Sequence, residues 1–554
     1  MAEAVALTNA YWGKDTSAAV LDCTVGDLLR RVASEVPDRL ALVEGAGAFE
    51  TRRRWTYRQL LDTALDVAQV LLTRFTPGER IAVWAPNCPE WILLQHGASF
   101  AGLVVVPVNP AFLADELTHV LVTSQVSGIF FPSQYRNSDM RAILASARTR
   151  LPHLRDAICL DDWERFMATP YEPVELPTIS PSDMVQIQYT SGTTGFPKGA
   201  CLHQLGIVNA SRFSALRAGF PEGGVWVNAM PLFHVGGCAV SAIGAMSQRG
   251  TFVLMPGFDA EAMLEIIESE RGTATLVVPT MLVALLDHPD RTERDVSSLK
   301  LILSGASAVP AALVRRTIAA FDCKFSILFG QTELNGVITQ TGGDDSPEDQ
   351  SETVGRPLPQ MEVKIADPVT GEVLPLDVQG EICARGYQTM LGYFNAVDAT
   401  GATLRDEGWL HTGDLGAMND RGYVRVTGRL KDMIIRGGEN IYPREIEEAL
   451  FEHPSISNAC IIGLPDDKWG EVVAAVVKLA GSLGRQDAAE TVDVLHAWCR
   501  ERLAAYKTPA VWYFIDEWPL TASGKVRRHV LREQIVGGCY PAYVATKLPP
   551  RGTA

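Results

Sequence analysis

The sequence predicts an α/β protein: a large N-terminal domain of layered α/β subdomains plus a β-rich subdomain, followed by a small α+β C-terminal domain. Three observations carry this expectation. Strand-like and helix-like patterns alternate through most of the chain, short strands split by turns replace them after about Ala366, and a third texture begins near Lys431. At 554 residues the chain exceeds what one hydrophobic core organises, so two domains are expected, at 1–430 and 431–554.

RIAVWAP (Arg80–Pro86) reads as a strand, EWILLQHGASFAG (Glu90–Gly102) as a helix and VVVPVNP (Val104–Pro110) as the next strand. TFVLMPG (Thr251–Gly257) and AEAMLEIIESERG (Ala260–Gly272) repeat the pair. LKLILSGASAVP (Leu299–Pro310) is a buried strand running into a glycine-containing turn, followed by helix ALVRRTIAAF and strand KFSILFGQTE. DPVTGEVLPLDVQGEICARG reads as hairpins with Pro-Val-Thr-Gly and Val-Gln-Gly turns. In the last part, IYPREIEEALFEHP and VDVLHAWCRERLAAY read as helices, SNACIIGLP and VVAAVVKLA as strands. The acidic stretch Thr341–Thr353, TGGDDSPEDQSET, is expected to be a solvated loop.

Composition narrows the function. Charge is −16, from 49 basic and 65 acidic residues, which argues against binding nucleic acid or an anionic membrane. The ten cysteines are scattered and none forms C-x-x-C, so neither a disulfide framework nor a zinc site is expected, and reduced thiols in a cytoplasm fit best. The N-terminus has no basic n-region or long apolar run, so no signal peptide is expected, the apolar stretches are too short to span a bilayer, and the terminal PRGTA carries no recognised targeting tripeptide. A cytoplasmic protein is expected.

The segment YTSGTTGFPKGA (Tyr189–Ala200) is where chemistry first shows. Gly192, Gly195 and Gly199 free the backbone to approach a ligand, and successive bare N–H groups make an anion nest. Thr190, Ser191, Thr193 and Thr194 add hydroxyls, and Lys198 adds charge. Together they suit a polyphosphate. The spacing is not that of a Walker A loop.

This loop closely resembles the signature loop of the adenylate-forming superfamily, and six further motifs of that family follow in order. They are PLFHVGG (Pro231–Gly237), FGQTE (Phe329–Glu333), GEICARGYQTMLGY (Gly380–Tyr393), GWLHTGDL (Gly408–Leu415), GRLKDMIIRGGENIYPREIE (Gly428–Glu447) and PLTASGKVRR (Pro519–Arg528). KDMIIRGGENIYP is similar to the medium-chain and general acyl-CoA synthetase branch. The resemblance implies ATP, Mg²⁺ and coenzyme A as cofactor and co-substrates, and a carboxylic acid activated as acyl-AMP and then joined to a thiol. A homodimer is compatible with it.

Residue roles follow from the resemblance. Glu333 stands as the Mg²⁺ ligand, since Mg²⁺ prefers carboxylate and phosphate oxygens. Thr332 matches the α-phosphate contact, and Phe329 stands at the adenine platform where Tyr is more usual, with Ser307, Gly330 and Gln331 around the nucleotide. Asp414 matches the carboxylate that holds both ribose hydroxyls, Arg429 its ribose and phosphate partner, and Lys525 the lysine that grips carboxylate and α-phosphate during adenylation. His234 matches the gate between acyl pocket and thiol tunnel. It is not assigned as a general base, because a thiol of pKa about 8.5 needs little help. The C-terminal domain of the family swings after adenylation. Lys431 occupies the hinge position, where some relatives carry Asp, and Gly437 and Gly438 match the segment lining the pantetheine tunnel.

Two departures bear on substrates. After Tyr506 and Lys507 the chain has Thr508, Pro509 and Ala510, where several relatives place basic residues for the CoA phosphates. A carrier-protein phosphopantetheine or an amine therefore stands as an alternative acceptor. Val235 occupies the place where amino-acid-activating relatives carry Asp, so a buried ammonium would lack its partner. The expected pocket residues Val235, Gly236, Gly237, Gly305, Ala306 and Leu334 are small or apolar and favour an apolar acid. A catalytically dead scaffold is opposed by the joint presence of Lys198, Glu333, Asp414, Arg429 and Lys525. A serine hydrolase lacks its G-x-S-x-G elbow, and zinc chemistry its H-E-x-x-H.

Overall fold

The computed structural model describes residues 6–190, 197–307, 309–480, 488–520 and 526–545. A nine-stranded sheet has Lys324–Phe329, Leu301–Gly305, Ala274–Val277, Val225–Asn228, Thr251–Leu254 and Leu40–Glu44 as its parallel centre. A seven-stranded sheet runs Gly392–Tyr393, Lys198–His203, Met184–Thr190, Val104–Val108, Arg80–Trp84, Gly128–Phe131 and Asp156–Cys159. Its last five strands are parallel, and its first three pair antiparallel.

Strand residues alternate between faces, and that alternation sets the layers. Ile81 and Val83 face the shared core with Leu42, Trp226 and Phe252 of the other sheet, whereas Ala82 and Trp84 face the opposite side. Helices Val25–Glu35, Tyr57–Leu72, Pro89–Ala101, Gln204–Ala218 and Ala242–Ser247 fill the space between the two sheets. Helices Ala260–Ser269, Pro279–Asp287 and Ala311–Phe321 cover the outer face of the nine-stranded sheet. Each fully buried Leu or Ile in these layers contributes about 2 kcal/mol over its exposed state.

The expected strand–helix–strand unit at Arg80–Pro110 forms as Arg80–Trp84, Pro89–Ala101 and Val104–Val108. Pro89 opens the helix, Gly102 closes it at φ +67°, and all thirteen helical residues are buried. A six-stranded sheet, including Met361–Ala366, Gly380–Gly386, Trp409–Met418 and Val424–Arg429, forms from the hairpin-like segment. Its turn is set by Asp367 Oδ1, which accepts from the backbone N–H groups of Val369 and Thr370 at 2.9 and 2.8 Å. A five-stranded sheet of Ile434–Arg436, Glu439–Ile441, Ile456–Asp466, Gly470–Leu479 and Val511–Phe514 follows. It carries Pro443–Phe451 and Ala488–Arg502 on one face and Arg528–Val536 on the other.

One expectation is corrected. Thr341–Thr353 is not a solvated loop: Pro347–Glu352 is helical, and Thr341, Asp349, Gln350 and Ser351 are buried. Ser346 caps the helix by accepting from the Asp349 N–H at 3.1 Å. Asp349 is then paired through both oxygens with Arg421 at 2.8 and 2.6 Å. The neutralising arginine lies 72 residues away, so local composition does not reveal it.

Candidate active site

The segment expected to bind phosphate, Tyr189–Ala200, begins and ends on paired strands. Met184–Thr190 leads in, Lys198–His203 leads out, and Thr190 stands opposite Lys198. Ser191, Gly192, Thr193, Thr194 and Gly195 lie outside the described residues, as does Lys525. Gly199 packs where a Cβ would come within 2.6 Å of Ile187 Cγ2.

Glu333 sits on the turn Thr332–Leu334, directly after strand Lys324–Phe329 of the nine-stranded sheet. It is tied to the other sheet through Tyr393. The Tyr393 hydroxyl donates to Glu333 Oε1 at 2.6 Å, and Lys198 Nζ stands 5.1 Å from the centre of the same ring. The backbone supports this junction: Met390 N–H donates to the Glu333 carbonyl at 2.9 Å, and Tyr393 pairs with Ala200. Burial first, and then the Glu333 charge, push the Tyr393 hydroxyl pKa upward, so it stays a neutral donor. The structure thus joins Lys198 and Glu333 through a residue that sequence reasoning left unassigned, although it ends the quoted GEICARGYQTMLGY motif. A magnesium ion fits the Glu333 carboxylate by donor type.

Phe329 is half-buried against the main core, and a Cβ on Gly330 would lie 2.1 Å from the Gly336 carbonyl oxygen. Ala306 adopts φ +67°, a left-handed conformation costly for a residue with a Cβ, and Ser307 beside it is exposed. Asp414 and Arg429 stand opposite each other on adjacent strands, with Arg429 Nε donating to Asp414 Oδ1 at 2.8 Å. Asp414 is 5% exposed.

His234 lies two residues before a π-helical turn, Gly236–Ser241, which is capped by Val235 and runs into helix Ala242–Ser247. Such one-turn bulges gather at functional sites. His234 Nδ1 accepts from Gly236 N–H at 3.1 Å, so the neutral ring carries its proton on Nε2 and cannot use that nitrogen as a base. Ser241 Oγ donates to the Gly236 carbonyl at 2.8 Å, adding a side-chain bond across the turn. Gly236 looks toward His234, Met230 and Leu276, all at 3.4–3.8 Å from an added Cβ. The corresponding direction at Gly237 meets the Pro231 carbonyl oxygen at 2.3 Å, and at Gly305 the Leu328 carbonyl oxygen at 2.5 Å, so both abut backbone. Val235 and Leu334 are buried.

In the five-stranded region, Gly437 has φ +60° and Gly438 φ +89°. Gly437 N–H donates to the Trp469 carbonyl at 2.7 Å, and a Cβ there would come within 2.8 Å of the indole. Arg436 and Lys468 stand over that indole at 5.1 and 5.0 Å, and Arg436 donates to the Tyr506 carbonyl at 3.2 Å. Lys507 is engaged elsewhere, with both Glu445 oxygens at 2.7 Å. Lys431 is exposed on the turn Leu430–Asp432. The segment flanking Lys525 is closed by the Arg527 N–H to the Pro519 carbonyl at 2.7 Å and the bridge Leu520–Val526. Arg528 then pairs with Glu447 at 2.8 and 3.0 Å and lies 3.6 Å from Asp432, beside Lys431.

Among the described residues, one group of three side chains could offer metal ligands: Glu381, Cys383 and His411. His411 Nδ1 is already bonded to Glu381 Oε2 at 2.7 Å, and burial pushes the Cys383 thiol up to about 12, keeping it protonated. Also among the described residues, no helix is long and apolar enough to cross a membrane.

Comparison with known proteins places this geometry. Residues 29–394 match the AMP-binding enzyme family, and residues 445–525 match the AMP-binding enzyme C-terminal domain. A Bacillus subtilis (strain 168) protein named as an acyl-CoA synthetase, YngI, is 35% identical over 549 residues, covering 94% of this chain and 98% of that protein. Human medium-chain acyl-CoA ligase ACSF2, mitochondrial, is 33% identical, covering 92% of this chain and 87% of the ligase. Among solved structures, ATP-bound MatB from Rhodopseudomonas palustris superposes with TM-score 0.83 at 28% identity, covering 93% of this chain and 99% of that one. The chain belongs to the AMP-binding enzyme family, among its acyl-CoA synthetases.

Proposed function

We propose that the protein activates an apolar carboxylic acid with ATP and transfers the acyl group to coenzyme A. In the first half-reaction a carboxylate oxygen attacks the α-phosphorus, the bond to the β-phosphate bridge breaks, and pyrophosphate leaves. In the second, a thiolate sulfur attacks the acyl carbonyl and AMP leaves. Two anions must meet in the first step, so positioned cations and donors are the main requirement.

The observation that carries the reading is the junction of Lys198, Tyr393 and Glu333 at the seam of the two sheets. It sets a cation beside the phosphate-loop segment and, close to it, a carboxylate suited to magnesium. Magnesium bound there would neutralise phosphate charge. Asp414 is the acceptor for the ribose hydroxyls, and Arg429 holds its second side. Lys525 acts in adenylation only, and the domain 431–554 turns about Lys431 to exchange it for the Gly437–Gly438 segment. The wall around His234 offers Met230 and Leu276 but no carboxylate at Val235, which supports an apolar acid. Beside Gly437, the cations Arg436 and Lys468 on an aromatic base suit the phosphates and adenine of coenzyme A.

A second reading is an acceptor on a carrier protein or an amine. The engagement of Lys507 by Glu445, together with Thr508 and Ala510, favours it by removing cations from that segment. Product mass spectrometry with ATP, Mg²⁺ and a panel of acids, with and without coenzyme A, separates the readings. Acyl-CoA with AMP confirms the ligase; an acyl-adenylate that persists despite coenzyme A sinks it in favour of the other acceptor.

A further inference from the structure

Asp414 stands in a break of the sheet ladder. Glu381 pairs with Leu415 and Cys383 with His411, so Thr412, Gly413 and Asp414 all oppose the single residue Ile382. Such a bulge loses ladder hydrogen bonds and needs other groups to fix it. Two side chains do so. Thr412 Oγ1 donates to the Ile382 carbonyl at 2.6 Å and accepts from Asp414 N–H at 3.0 Å. Glu381 Oε1 accepts from Gly413 N–H at 3.0 Å, while its other oxygen meets His411 Nδ1 at 2.7 Å. Gly413 has φ +71°, the conformation that turns the chain at this point.

Glu381 is 4% exposed and His411 9%, so this is a carboxylate deliberately enclosed. A buried charge persists when its bonds are complete. Its two oxygens grip the residues on either side of Thr412, which fixes the spacing of the bulge and hence the direction of Asp414. The same cluster contains a thiol, but its three groups already satisfy one another and need no ion.

We propose that Glu381 is a positioning residue for nucleotide recognition: through Gly413 and His411 it holds the bulge that aims Asp414 at the ribose. This rests on the reading of Asp414 as the ribose acceptor. The test compares ATP with 2′,3′-dideoxy-ATP in pyrophosphate release by the full-length enzyme at saturating acid. The wild type should prefer ATP by about tenfold or more in kcat/KM, the size of one hydrogen bond to a charged group. Glu381→Ala should bring that preference to within about threefold of unity, raising the KM for ATP but not for the acid. Glu381→Asp, one methylene shorter, should do the same and decides the matter if the alanine variant does not fold. Glu381→Gln keeps an acceptor for Gly413 and should recover the preference. Folded Ala and Asp variants that discriminate like the wild type overturn the positioning role while leaving Asp414 in place. A wild type that does not discriminate overturns the ribose reading itself, and this inference with it.

Discussion

Two adjacent glycines should respond to the same substitution in opposite ways. In Gly236→Ala, the new methyl meets His234 Nδ1 at 3.4 Å, Met230 Cε at 3.6 Å and Leu276 Cδ2 at 3.8 Å, ordinary contacts that need no rearrangement. Losing a helical glycine favours the fold by up to about 1 kcal/mol, so melting should hold or rise slightly. The methyl takes room beside His234, and on the proposed reading an acid that fills the pocket should lose about 10–200-fold in kcat/KM, the value of one methylene of space. Shorter acids should lose little, moving the optimum toward smaller substrates. In Gly237→Ala the methyl would stand 2.3 Å from the Pro231 carbonyl oxygen and 2.8 Å from that of Met230. Backbone must move, at about 1–3 kcal/mol, so melting should fall, and any loss of activity should be alike for every substrate. Thermal melts and kcat/KM over a homologous series of straight-chain acids read both effects. An unchanged optimum in the first variant, or wild-type melting in the second, would refute the assignment of Gly236 to the pocket wall and Gly237 to the backbone contact.

Other expectations follow from the same geometry. Lys525→Ala should abolish adenylation yet leave added acyl-adenylate able to react with coenzyme A; equal loss in both half-reactions would sink the alternation of domains. Tyr393→Phe removes the donor to Glu333 and keeps the ring under Lys198, so pyrophosphate exchange should fall about 10–100-fold and demand more Mg²⁺. A curve that overlays the wild type would show that the hydroxyl is dispensable. Burial holds His96 neutral with its pKa lowered to about 4, below its ordinary 6.5. Between those values the unfolded chain binds a proton that the fold refuses, so stability should decline as pH falls from 6.5 to 4, by at most about 1.4 kcal/mol per pH unit. His96→Leu should flatten that slope in denaturant melts, and an identical slope would place the acid sensitivity elsewhere.

Much of this molecule is legible from its sequence because the relevant signals are local. The alternation at Arg80–Pro110 forms as read, and Asp414 and Arg429, taken separately from two motifs, meet as an ion pair. What escaped reading depends on distance along the chain. Asp349 is buried because Arg421 comes from another element, and Tyr393 matters because a two-residue strand carries it to Glu333 from a different sheet. Glu381 looked like any acidic residue after a glycine. Only the register shift opposite Thr412–Asp414 shows what its two oxygens are for.

The π turn at Gly236–Ser241 has an evolutionary corollary. A π turn is an α-helix with one residue too many, and each residue of an α-helix advances by about 100°. Deleting one residue there would regularise the helix and swing His234 and Val235 around its axis relative to Ala242 and beyond. If this wall faces the acid, as proposed, it can therefore be redrawn by a change in chain length with no change of residue type. Relatives that differ here by a single gap should differ in the shape of acid they accept more than their percent identity suggests.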